Sequence, residues 1–156
     1  MPDNLGKKFE EKFKGDFLKS LPGSTIDRLK DTMTPYFNVS NICDFIGYKF
    51  PHIFYLECKT HEGASIPFIN ITQYDELVKK VGIEGVRVGV VLWLYEKDWV
   101  AYIPISTITK MKEDGKKSVG LKAVKEGYNI IEVPSVKLRT FMNSDYSVLL
   151  KLKDGE

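Results

Sequence analysis

Three residues, Asp44, Glu57 and Lys59, have the types and the spacing for phosphodiester chemistry. Glu57 and Lys59 stand two apart in Ile53-Phe54-Tyr55-Leu56-Glu57-Cys58-Lys59, so on a strand they share one face while Leu56 and Cys58 share the other. Asp44 lies in the preceding run, Asn41-Ile42-Cys43-Asp44-Phe45-Ile46-Gly47-Tyr48, with Lys49-Phe50-Pro51-His52 as the turn between. If Tyr48 pairs with Ile53 across that turn, counting outwards sets Asp44 opposite Glu57, with Cβ atoms about 4.5–5.5 Å apart. Two carboxylates at that separation repel, and a strand pair of mostly apolar residues keeps them only with compensation. A divalent cation provides it. Magnesium takes hard oxygen ligands, often one or two carboxylates together with water and a substrate phosphate. A lysine on the same face can orient a water or hydroxide nucleophile, or offset the charge that develops on the phosphoryl group. The competing reading is a metal-free, salt-bridged cluster of the same three side chains. The register decides much, because a slip of one residue turns Asp44 to the opposite face.

A fourth acid is available upstream. Residues 4–20 read as a helix, since Leu5, Phe9, Phe13, Phe17 and Leu21 recur every fourth position as one apolar stripe. Asp3 or Asn4 can cap its start. Glu10 sits at the edge of that stripe and can approach a metal from above the sheet; alternatively it is a solvated acid paired with Lys7 or Lys14. Glu11 is the rival position.

The elements that must position these residues follow from the same kind of reading. Arg28-Leu29-Lys30 can be extended. Ile42–Tyr48 and Ile53–Lys59 are strands. Thr72 can cap a helix through Tyr74, Leu77, Val78 and Val81 that Gly82 closes. Strands Arg87–Tyr95 and Trp99–Ile105 are joined by Glu96-Lys97-Asp98. Ser106 can cap a short helix to about Lys112. Further strands are expected near Tyr128–Val133 and Ser147–Leu152. The result is an α/β sandwich with a mixed sheet, in one domain spanning residues 1–156.

Composition sets the outer bounds. With 43% hydrophobic and 28% charged residues the chain can bury a core without staples. The formal net charge of +2 does not by itself announce a nucleic-acid binder. Charge distribution says more: Lys110, Lys112, Lys116, Lys117, Lys122 and Lys125 face only Glu113 and Asp114 within that stretch, a cluster that can hold phosphates or form a solvated face. Cys43 and Cys58 form no C-x-x-C pair, which argues against zinc and for buried free thiols in a reducing compartment. There is no signal core and no membrane-length apolar run, so a cytoplasmic, membrane-free protein is expected. His52 and His61 have no nucleophile partner pattern, and no P-loop or Rossmann fingerprint occurs.

Gly6-Lys7-Lys8-Phe9-Glu10, then Asp44, then Glu57-Cys58-Lys59, resemble the G-x-x-F-E … D … E-x-K order of PD-(D/E)xK nucleases. More narrowly, the chain resembles the RecU-type Holliday junction resolvases of Gram-positive bacteria and their phages. The stretches Asp44–Tyr48, Ile66-Pro67-Phe68-Ile69-Asn70-Ile71 and Gly115-Lys116-Lys117-Ser118-Val119 support that likeness, which covers roughly residues 4–120. The resemblance implies a restriction-endonuclease-like core, a central mixed β-sheet flanked by helices. It implies that Asp44, Glu57 and Glu10 bind Mg²⁺, with Mn²⁺ as a substitute, and that Lys59 positions the attacking water. It also implies a homodimer cutting four-way DNA during recombination and repair. Its DNA contacts would include Lys7, Arg28, Lys30, Gln73, Lys116 and Lys117. Cys43 stands where many superfamily members have Pro. The stalk of these resolvases corresponds here to the short stretch 28–41, where Tyr36 and Phe37 can stack on unpaired bases. The apolar run Val90-Val91-Leu92-Trp93-Leu94 fits either a dimer surface or a buried central strand. Two other function classes remain open: a nuclease of linear duplex or flap DNA, and a non-catalytic DNA-binding accessory protein with a relic site.

Overall fold

The computed structural model describes residues 4–29 and 41–156. The first helix, α1 (Leu5–Ser20), buries Leu5, Phe9, Phe13 and Phe17 along one stripe, as their spacing predicts. Asn4 adopts a left-handed conformation with no side-chain cap, and Asp3 lies outside the described residues. The chain then forms β1 (Thr25–Arg28), β2 (Phe45–Lys49), β3 (His52–His61) and the short β4 (Ser65–Pro67). After a 3₁₀ turn at Phe68–Asn70 come α2 (Tyr74–Leu77), β5 (Val86–Leu94), β6 (Trp99–Pro104), α3 (Ile105–Glu113), β7 (Ser118–Gly120) and α4 (Leu121–Lys125). β8 (Ile131–Glu132), the hairpin β9 (Ser135–Lys137) and β10 (Met142–Ser144), and a 3₁₀ helix at Tyr146–Lys151 complete it.

The main sheet has the order β1-β2-β3-β5-β6-β8, with β3 and β5 parallel and every other neighbouring pair antiparallel. The expected α/β architecture with a mixed central sheet is therefore the observed one. Each face buries its own core. Phe45, Phe54, Leu56, Cys58, Val91, Trp93 and Tyr102 meet α1 on one side. On the other, Val88, Val90, Leu92, Ala101 and Ile103 meet the residue 66–77 segment and α3. β5 sits in the middle of the sheet, and Val90 to Leu94 are all at most 2% exposed. That run is core on both faces, so it offers no surface to a second subunit.

Several expected elements come out differently. The helix expected from Thr72 to Val81 is one α-turn, α2, followed by a 3₁₀ turn at Val78–Lys80. The Thr72 hydroxyl donates to Gln73 Oε1 at 2.7 Å and caps nothing. Helix α3 starts at Ile105 behind Pro104 without a side-chain cap from Ser106. Of the strand expected at Tyr128–Val133 only Ile131–Glu132 pairs, with β6. Ser147–Leu152 lies largely in the 3₁₀ helix and is no strand. Tyr146 and Leu149 are the buried residues there, and a three-residue repeat stacks them on one side, as an alternating strand would not. Asp145 secures its start by accepting a hydrogen bond from the Ser147 amide at 3.0 Å.

Candidate active site

The β2–β3 hairpin has the register that the turn implies. Tyr48 pairs with Ile53 and Phe45 with Leu56, so the next position outwards sets Asp44 against Glu57. Asp44 precedes β2 and is pinned at both ends. Its carbonyl accepts from the Leu29 amide at 2.8 Å, and its carboxylate Oδ2 accepts from the Cys58 amide at 2.9 Å. These two bonds tie Asp44 to β1 on one flank and β3 on the other.

Glu57 is 1% exposed, and its Oε1 has no hydrogen-bond partner among the described residues. An orphaned carboxyl oxygen in that position is costly. Burial pushes the Glu57 carboxyl up to about 9; the hydrogen bond with Asp44 and that residue's negative charge push it the same way. The Lys59 charge and the Asp44 amide pull it back. Asp44, Glu57 and Lys59 thus act on one another electrostatically at the end of β2 and the middle of β3. Lys59, half-buried, lies beside Leu92 of β5. Cys43, next to Asp44, is buried and donates from Sγ to the Phe45 carbonyl at 3.1 Å. It leaves the site's oxygens alone.

Glu10 is placed differently from the expectation. Helix α1 covers the face that carries Leu56 and Cys58, whereas Glu57 and Lys59 alternate to the other face. Glu10 forms an ion pair with Arg28 of β1, Nε to Oε2 at 2.9 Å. Its charge still reaches the buried Cys58 thiol, as do those of Asp44 and Glu57. Among the described residues, no three His, Cys, Asp or Glu side chains stand close enough together to hold a metal. The acids expected as ligands that the structure does bring together are Asp44 and Glu57. A buried carboxyl oxygen without a partner, beside a second carboxylate, is a donor set that fits a hard divalent cation.

The residues expected to contact DNA fall into separate places. Lys7 is exposed on α1, and Arg28 holds Glu10. Gln73 precedes α2, on the sheet face that carries Glu57. Lys30, Tyr36 and Phe37 lie outside the described residues. The lysine-rich stretch is partly neutralised internally. Lys110 pairs with Asp114 at 3.1 Å and Lys116 with Glu126 at 2.6 Å, while Lys112 Nζ lies 3.6 Å from the centre of the Tyr74 ring. Lys117 remains exposed. Sequence reasoning missed Arg28 as the partner of Glu10. The signal available was its extended setting beside Leu29, which makes Arg28 the last residue of β1.

No protein-family model matches the chain, and no curated protein matches it by sequence. Among solved structures it matches the Holliday junction resolvase Hjc of Archaeoglobus fulgidus, an archaeal hyperthermophile, with a TM-score of 0.56 at 17% identity. The chain has the Hjc fold. The match takes in 80% of this chain and 95% of Hjc, so nearly the whole of Hjc has a counterpart here. At that identity the likeness to Hjc is one of architecture: a mixed sheet flanked by helices.

Proposed function

We propose that this chain is a divalent-metal-dependent endonuclease that hydrolyses phosphodiester bonds in branched DNA, a Holliday junction resolvase whose active site is Asp44, Glu57 and Lys59. The observation that carries the reading is the buried, partnerless Glu57 Oε1 beside the Asp44 carboxyl, on a strand whose next outward residue on the same face is Lys59. The fold shared with Hjc supports it.

In this reading Asp44 and Glu57 hold Mg²⁺, or Mn²⁺ in its place. Bound there, the cation supplies Lewis-acid charge to the phosphodiester and to the attacking water. The chain's own groups do the rest. The Cys58 amide fixes the Asp44 carboxylate, so its second oxygen points along a set direction. Lys59 orients the nucleophile and offsets charge on the phosphoryl oxygens. Glu10, released from Arg28, serves as the outer acid of the site. Arg28, so freed, joins Lys7, Gln73, Lys116 and Lys117 in contacting DNA, with Lys30. Two paired cuts across a two-fold junction require two such sites, so the working form is a homodimer of the RecU-type plan.

A cleavage panel tests the substrate. With Mg²⁺ present, a four-way junction is cut while a flap and a plain duplex of the same sequence survive. Equal rates on all three would remove the resolvase reading and leave a general nuclease.

A further inference from the structure

Strands β4 and β7 form a two-stranded ribbon that is separate from the main sheet. Its register, Ser65 with Gly120, Ile66 with Val119 and Pro67 with Ser118, sorts its side chains cleanly. Ile66 and Val119, each 1% exposed, enter the core, so Ser65 and Ser118 share the other face. The ribbon closes tightly because Gly120 lacks a side chain; a Cβ there would lie 1.9 Å from the Ala64 carbonyl oxygen. Beside the ribbon lies a cavity of about 300 Å³ lined by Ser65, Lys116, Lys117, Ser118, Lys122 and Glu126. Met111 and Ala123 form part of its floor.

Three lysines and one glutamate are therefore among the residues that line one cavity. Glu126 takes Lys116 at 2.6 Å, and that hydrogen bond holds the Glu126 carboxyl below its usual range. Lys117 and Lys122 have no ion-pair partner among the described residues. Neither serine hydroxyl has a hydrogen-bond partner there either. Lys117, Lys122 and the two serines line a space at the lower end of ligand-site size, and the Lys122 charge acts with that of Lys116 on Glu126. The chemistry that satisfies them is a tetrahedral oxyanion carrying several acceptor oxygens, and Glu126 stands in for it with one carboxylate.

We propose that this cavity is a phosphate subsite for the nucleic-acid backbone, with Lys117, Lys122, Ser65 and Ser118 as donors and Glu126 as an internal competitor for Lys116. This rests on the reading of the chain as a DNA-acting protein. It adds that one backbone phosphate is gripped at a built pocket outside the acidic site, and that a carboxylate tunes the grip.

The test uses the full chain without metal, so that no cutting intervenes. Four-way junction binding is measured from 50 to 200 mM salt for wild type, Lys117→Ala/Lys122→Ala, Glu126→Gln and the control Glu113→Gln. The double variant is expected to bind about tenfold more weakly at low salt, with a salt slope smaller by about one. Glu126→Gln is expected to bind several-fold tighter, and Glu113→Gln to match wild type. Amide shifts during titration with inorganic phosphate and with a 5′-phosphorylated dinucleotide test the pocket apart from DNA cutting. Saturable shifts at Ser65, Ser118 and Lys122 that weaken in the double variant support the subsite, even if the chain fails to cut any DNA. A larger response to the dinucleotide identifies a nucleic-acid phosphate; an equal response identifies a free-phosphate site and overturns the backbone assignment. Unchanged salt slopes together with no saturable shift would overturn the pocket itself.

Discussion

Asp44→Asn and Glu57→Gln are each expected to lower junction cleavage by about 10³-fold or more while leaving junction binding within a few-fold of wild type. The reason is local. Both carboxyl groups meet at the end of the hairpin, and among the described residues no third acid stands close enough to replace either one. In the proposed function DNA affinity comes from other groups, the lysines and Arg28, which neither substitution touches. Asn keeps the oxygen that accepts from the Cys58 amide, so the hairpin stays in place. Single-turnover cleavage of a labelled junction, with binding measured separately in the absence of metal, reads the two effects apart. A variant that retains wild-type cutting would remove that residue from the site.

The second large effect concerns stability and pH. In the unfolded chain Glu57 ionises near the ordinary carboxyl value of 4.5, whereas in the folded protein it holds its proton up to about 9. Between those values the folded state binds the extra proton, so stability falls as pH rises through the window. The metal-free protein is therefore expected to be most stable on the acid side of neutral and to lose Tm progressively towards pH 9. Glu57→Gln removes the titration and keeps the shape. At pH 8 it should be more stable than wild type by several kcal/mol, and at pH 4.5 nearly equal to it. Melting curves for both proteins across pH 4.5 to 9 in chelator test this. Parallel curves would show that Glu57 does not carry a displaced proton equilibrium.

The hairpin that builds the site was legible because its information is local. An alternating apolar run on each side of Lys49-Phe50-Pro51-His52 fixes the register, and the register fixes Asp44 against Glu57. The α1 stripe and the buried β5 run were legible for the same reason, since period and hydrophobicity suffice. Pairings between distant segments were not. The β4–β7 ribbon joins residues some fifty positions apart, and three-residue strands carry no periodic signal. The ion pair of Glu10 with Arg28 depends on how α1 lies across β1, which no spacing encodes. The end of the chain reads as β-branched and apolar near Ser147, yet Tyr146 and Leu149 settle in a 3₁₀ turn against the α1 face of the sheet. There tertiary packing overrides strand propensity.

In the proposed function Asp44 and Glu57 form one cation site whose inner carboxyl holds a proton until the cation displaces it. Calorimetric titration of Mn²⁺ into the metal-free protein at pH 7.5, in two buffers of different ionisation enthalpy, measures affinity and proton release together. Saturable binding with about one proton released per ion, lost in Glu57→Gln, is the expected result. Absence of saturable binding, or equal binding by Glu57→Gln, would contradict it.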